Sequence, residues 1–164
     1  MKGWLIKMIT HPIPPLYDGN SKILILGSFP SVKSREAQFF YGHRQNRFWR
    51  VVSAICNEEC PQTTEEKRAF LLRNNIAAWD VIGSCDIVGS ADSTIKNVTP
   101  NDLSVILNNA PIKQIFVNGA TAYKYFTKYN PHLTAIRLPS TSPANAAFSL
   151  ERLVAEWSVI KNFT

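Results

Sequence analysis

"KILILGSFPS", residues 22–31, carries four consecutive branched aliphatic residues, Ile23 to Leu26, straight into a Gly-Ser-Phe-Pro-Ser turn. A strand with one wet face alternates apolar and polar residues. An unbroken apolar run that stops at a turn is a strand buried on both faces, the kind found in parallel sheets. Three more runs share this form: "IAAWDVI" (76–82), "QIFVNG" (114–119) and "TAIRLP" (134–139).

Helical patterns fill the intervals between these runs. "NRFWRVVSAIC" sets Phe48, Val52 and Ile55 on one face, and "TTEEKRAFLLRNN" opens with Thr63 and Glu66 at capping-box spacing. Thr99, Pro100 and Asp102 read as cap, first-turn and N3 residues of a further helix. Gly119 leads into "ATAYKYFTKY", and "SLERLVAEWSVIKNF" places Leu150, Leu153, Val154 and Trp157 on one face. This alternation predicts an α/β fold: a three-layer sandwich with a central, mostly parallel four-stranded sheet between helices. The segment 83–99, "GSCDIVGSADSTIKNVT", fits no helix and reads as a functional loop over the site.

The chain has 164 residues, 45% hydrophobic and 18% charged, which suits one well-buried core and predicts a single domain over 1–164. Its net charge is +6, and Lys33, Arg35, Arg44, Arg47 and Arg50 surround a single acid, Glu36. Such a basic face fits an anionic partner. Cys56, Cys60 and Cys85 form no C-x-x-C pair, which fits reduced thiols and a cytoplasmic location better than a disulfide framework or a four-Cys metal site. The apolar patch in "MKGWLIKMITHPIPPLYD" is shorter than a signal peptide's, and no run approaches the roughly 18 apolar residues of a membrane span.

In folds of this class the ligand sits at the carboxyl ends of the strands. Three segments fall there: "GSFPS" after the first run, "NGA" after the third and "LPSTSPANA" after the fourth. The first is either a backbone cradle for phosphate or a tight turn, and it lacks the lysine and spacing of a P-loop. Phe39, Phe40 and Tyr41 are either a stacking platform for a base or core, and Tyr41 beside Gly42 is the best candidate for exposure. Asn46, just before the helical run, suits a helix cap as well as a catalytic amide, and His43 suits a structural hydrogen bond as well as acid–base work. "LPSTSPANA" is either a small-donor grip for phosphate or an ordinary Pro-Ser loop. Metalloprotease, nucleophile-elbow, kinase and paired-carboxylate signatures are absent from the sequence.

Four separated motifs keep one order: G-x-x-P after the first strand, "HRQNRFW" at a helix start, "NG" after a middle strand and a late Pro-Ser loop. Together they resemble the uracil-DNA glycosylase superfamily, over Tyr17 to Trp157. "GHRQNRFWRVV" and "IFVNGATAYKYF" look like its mismatch-specific uracil and thymine branch. The pairing of "YDGNSKILILGSFPS" with "LPSTSPANA" looks closer to the hypoxanthine-DNA (deoxyinosine) branch.

The resemblance implies a monofunctional DNA glycosylase acting on a deaminated base, chiefly hypoxanthine, with no cofactor and no metal. It implies a monomer on DNA containing a damaged base, without a membrane partner, in the cytoplasm or on the nucleoid of a prokaryote. Asn46 would be catalytic; Gly27, Ser28, Phe29, Tyr41 and Asn118 would form the base pocket. Ser31, Arg44, Arg47, Ser140, Thr141, Ser142 and Ala144 would contact DNA. Phe29 stands where relatives carry Asp or Asn, Ser140 where the late loop's catalytic His would be, and Ala144 where a wedge Leu would be. A uracil or mismatch glycosylase of the same fold, a non-catalytic nucleic-acid-binding module and a small nucleotide-binding α/β protein are the competing readings.

Overall fold

A computed structural model describes residues 7–164; the N-terminal apolar patch weighed above as a leader falls mostly in residues 1–6, outside the described residues. The four apolar runs become β2 (Ile23–Gly27), β3 (Ile76–Asp80), β6 (Gln114–Asn118) and β7 (Ile136–Leu138), here numbered in chain order after β1 (Lys7–Thr10). They form one sheet in the order β3-β2-β6-β7 with every pairing parallel, as the unbroken runs predict. Ile23 to Leu26 are fully buried, so both faces of β2 are covered.

The covering helices are α1 (Val32–Ala37), α2 (Phe48–Ile55), α3 (Thr64–Arg73), α4 (Ser104–Leu107), α5 (Ala120–Tyr129) and α6 (Leu150–Trp157). In α2, Phe48 and Val52 are buried and Ile55 packs against the same core. Thr63 and Glu66 form the expected capping box at the start of α3. Leu153 and Trp157 of α6 are fully buried, whereas Leu150, expected on that face, is exposed at the first turn.

Two expectations fail in the stretch after β3. Residues 83–99 are not a loop but most of a hairpin, β4 (Ile82–Ile87) and β5 (Lys96–Pro100), with a 3₁₀ turn at Asp92–Thr94 between them. β4 continues from β3 after one residue, Val81, and pairs antiparallel with β1 and β5 in a second sheet. Its periodicity is broken by Gly83 and by shifts of register, which hid the strand. Thr99 and Pro100 therefore end β5 rather than starting a helix. Asp102 instead accepts from the Ser104 backbone N–H at 3.0 Å.

β2 lies between β3 and β6, so the chain moves from β2 to one side and later returns to the other, and a crevice opens at the carboxyl ends of these strands. Gly119, directly after β6, adopts φ +96° and ψ 172°, a region essentially reserved for glycine. A Cβ there would also press on the Ser140 side chain at 3.1 Å. Gly119→Ala is therefore expected to lower stability by about 1–3 kcal/mol and to push the late loop off the crevice. Denaturant melts together with protease sensitivity of residues 139–149 measure both effects.

Candidate active site

The crevice holds a cavity of about 400 Å³, lined from the β2 end by Gly27 to Ser31, from the β3 end by Asp80 and from the β6 end by Asn118. That volume lies in the range of small-ligand sites. Tyr41, His43, Asn46 and the late loop from Ser140 to Ala144 complete it, so most of the residues expected at the site do come together. Arg44 and Arg47 are not among the lining residues.

Gly27 is required by its neighbours, because a Cβ there would run into Asp80 Oδ1 and lie 3.3 Å from the Tyr41 hydroxyl. Ser31 caps α1, accepting from the Ser34 backbone N–H at 3.1 Å. Ser34 Oγ in turn accepts from Gly42 N–H at 2.9 Å and fixes the chain beyond Tyr41. Tyr41 has φ +50°, a strained value for a residue with a Cβ. The strain places its ring flat against Phe48, with centroids 3.9 Å apart at 13°. Phe39 and Phe40 are core, each 3% exposed. The Tyr41 hydroxyl is buried and makes no well-formed hydrogen bond among the described residues; burial, followed by the charge of Asp80, pushes the phenol's pKa well above its ordinary value against a smaller lowering by Asn118.

Of the two roles that the sequence left open for Asn46, the structure shows the one at the helix start. Its Oδ1 accepts from the Phe48 backbone N–H at 2.9 Å, covering a free donor of the first turn of α2, and from Thr141 Oγ1 at 2.8 Å. Both lone pairs are thereby occupied. Its Nδ2 has no partner among the described residues. Asn118 binds Thr141 from the other side: its Oδ1 accepts the Thr141 N–H at 3.1 Å and its Nδ2 donates to Thr141 Oγ1 at 3.0 Å.

Several residues expected to contact DNA are bonded within the protein. Thr141 is fully buried, and its hydroxyl is bonded to Asn118 and Asn46. Ser140 Oγ accepts from Ser142 N–H at 3.1 Å and Ser142 Oγ from Ala144 N–H at 3.2 Å, which shapes the loop. The Arg47 guanidinium donates to the carbonyls of Ser142 and Asn145, each at 3.0 Å, and to that of Phe148, so it clasps the loop. Arg35 donates to Gly89 O at 2.6 Å in the β4–β5 hairpin. Arg44 is exposed and makes no such bond.

Two acids at the site were missed. Asp80, at the end of "IAAWD", is 5% exposed and accepts from His11 Nε2 at 2.8 Å; His11 Nδ1 accepts the Ile13 N–H at 3.2 Å, so the imidazole is held as the Nε2–H tautomer. An acid closing an apolar strand was the available signal. Asp92 reaches the cavity from the 3₁₀ turn and accepts from Ser28 Oγ at 3.3 and 3.4 Å. No sequence signal brought it there, because the hairpin itself went unrecognised. Among the described residues no cluster of three metal-ligating side chains is present, and no helix is long and apolar enough to cross a membrane.

Known proteins match this architecture throughout. The family model described as the uracil DNA glycosylase superfamily matches residues 14–162. A hypoxanthine DNA glycosylase of Methanosarcina acetivorans is 36% identical over 160 residues, covering 93% of this chain and 98% of the relative. Another from Methanosarcina barkeri is 35% identical over 152 residues, with 88% and 93% covered. A solution NMR structure from Methanosarcina acetivorans, assigned as a uracil DNA glycosylase, superposes with a TM-score of 0.79 at 34% identity, covering 94% of this chain and 96% of that one. With a family model spanning nearly all of the chain and relatives of this identity along its length, the chain belongs to the uracil DNA glycosylase superfamily.

Proposed function

We propose that this chain is a monofunctional DNA glycosylase that removes hypoxanthine from DNA, its 164 residues acting as one domain and as a monomer in the cytoplasm. The observation that carries this reading is Asn46: an amide held at the cavity by Thr141 and by the start of α2, with its NH₂ left for a ligand. The names of the two Methanosarcina relatives support hypoxanthine as the base.

A base inside a duplex is out of reach, so the nucleotide must swing into the cavity. Tyr41, backed by Phe48, offers a flat surface to the extruded base, and such stacking is worth about 1–3 kcal/mol. Ala144, exposed on the late loop, is too small to fill the gap left behind, which favours lesions in weak pairs. As the C1′–N bond breaks, electron density moves onto the departing base, and the Asn46 amide donates to it. Its oxygen is already engaged twice, so orienting water by Oδ1 is not its part. Among the described residues no lysine lines the cavity, which leaves water as the nucleophile.

Two substitutions separate the cap from the chemistry. Asn46→Asp keeps an acceptor for Phe48 and Thr141 but removes both donors; it is expected to melt close to wild type and to lose about 100-fold or more in single-turnover excision. Asn46→Ala should lose activity and also about 0.5–2 kcal/mol of stability. Excision by Asn46→Asp at the wild-type rate would remove the amide donors from the mechanism. The lesion itself is tested with duplexes carrying single hypoxanthine, xanthine, uracil or mismatched thymine: release of hypoxanthine fastest is expected, and release of uracil alone would favour the uracil branch. Binding without any abasic site would favour a non-catalytic module.

Salt dependence distinguishes the arginines. Arg44→Gln is expected to make the slope of log K against log salt shallower by about one, as loss of one phosphate contact does. Arg47→Gln should leave that slope unchanged while loosening the late loop and lowering the melting temperature. Titration of lesion-free duplex at several salt concentrations provides the comparison.

A further inference from the structure

Hydrolysis leaves a proton to be placed. Water oxygen bonds to C1′, the C1′–N bond breaks, the base departs with that bond's electron pair, and the water must release a proton. Asn46 cannot receive it, since both lone pairs of Oδ1 are in use and an amide is a poor base. The Phe29 side chain, which lines the cavity, offers no acceptor.

Two carboxylates line the cavity, and they stand at different depths. Asp80 is at the floor, buried, bonded to His11 and pressed against Gly27. Asp92 is at the mouth, exposed, and lines both this cavity and a second one beyond the late loop. The hydrogen bonds it accepts from Ser28 Oγ, at 3.3 and 3.4 Å, are at the long limit and leave the carboxylate able to take another donor. The hairpin that carries it is anchored rather than loose. Val32 N–H donates to Ser90 Oγ at 2.9 Å, Arg35 to Gly89 O at 2.6 Å, and Val88 N–H to Thr94 Oγ1 at 2.9 Å.

We propose that Asp92 is a catalytic residue of the excision reaction: its carboxylate receives the proton of the attacking water and faces the cation-like sugar. An extruded nucleotide enters base first, so the sugar and the water that attacks it stay at the mouth, beside Asp92 and away from Asp80. The proton then passes to solvent, and the departed base anion takes one from solvent. Although the residue is exposed, partial desolvation of its carboxyl at the cavity rim raises its pKa above the ordinary value, hydrogen bonding from Ser28 and Thr121 lowers it, and the charge of Asp80 raises it further. A raised carboxyl is a better proton acceptor near neutral pH. The other titratable or charged groups around it are Cys85 of β4, Tyr125 of α5, Arg35 of α1, His43 at the cavity wall, and Arg137 and Glu156, which line the second cavity with it.

This inference rests on the glycosylase reading, and the experiment separates the two. Single-turnover excision of hypoxanthine is measured from acid to neutral pH for wild type, Asp92→Asn and Asp92→Glu, beside DNA-binding titrations and thermal melts. Asp92 acts only when ionised, so the wild-type rate should rise with pH through its carboxyl pKa and then level off. Asp92→Asn, which keeps an acceptor for Ser28, should bind DNA as wild type does, lose about 100-fold in rate and lose the acid limb. Asp92→Glu should retain the limb at an intermediate rate. An Asp92→Asn rate within about threefold of wild type, or an unchanged acid limb, would overturn the proposal and leave the glycosylase reading standing. A wild type that excises none of the lesions would overturn that reading and this one with it.

Discussion

Thr141 has no contact with solvent, yet it carries three polar atoms, and every one is partnered. Its N–H goes to Asn118 Oδ1, its carbonyl accepts from Arg47 N–H at 3.0 Å, and its hydroxyl lies between Asn118 Nδ2 and Asn46 Oδ1. A buried polar group left without a partner costs about 1–3 kcal/mol, so these bonds are mutually binding. Three distant pieces of chain, the end of β6, the start of α2 and the late loop, are thereby fixed at one point. The position of the Asn46 amide follows from it. Arg47 then clasps the remainder of the loop through backbone carbonyls, so its charge is spent on holding the protein together.

The cavity that results is graded from floor to mouth. At the floor, the Asp80 carboxylate sits so close to residue 27 that only glycine fits there, and Asp80 is held by a histidine of fixed tautomer. The wall is aromatic, with Tyr41 strained into a left-handed conformation against Phe48. Elsewhere along the cavity lie groups without strong partners among the described residues: the Asn46 NH₂, Ser28 Oγ and the Asp92 carboxylate. Such a gradient, from dry and rigid to wet and polar, suits a ligand whose flat apolar end enters first and whose charged end stays in solvent.

The second sheet accounts for the mouth. β4 leaves the central sheet one residue after β3 and turns back through a 3₁₀ segment, so the same chain run that supplies Asp80 to the floor supplies Asp92 to the rim. Arg35, stacked at 5.7 Å over the Phe29 ring and bonded to Gly89, ties this hairpin to the first helix. Two of the arginines that make the surface basic in sequence are therefore internal struts, and Arg44 is left exposed beside them.

The sequence alone determined the parallel sheet, because a strand buried on both faces must be apolar at every position and a run such as Ile23–Leu26 has no other use. It also determined which segments meet at the site, since parallel strands send all their carboxyl ends to one edge, and the order of four motifs carried the family. It did not determine what each polar side chain there does. Asn46, Arg47, Thr141 and Asn118 have the same composition whether they face a ligand or one another, and only tertiary contacts across 23 to 101 residues of chain decide which donors are already engaged. The β4–β5 hairpin was hidden for a related reason. A half-buried antiparallel strand broken by a glycine and shifts of register has no clean period, so the strand, and Asp92 with it, becomes visible only once β1 supplies its partner.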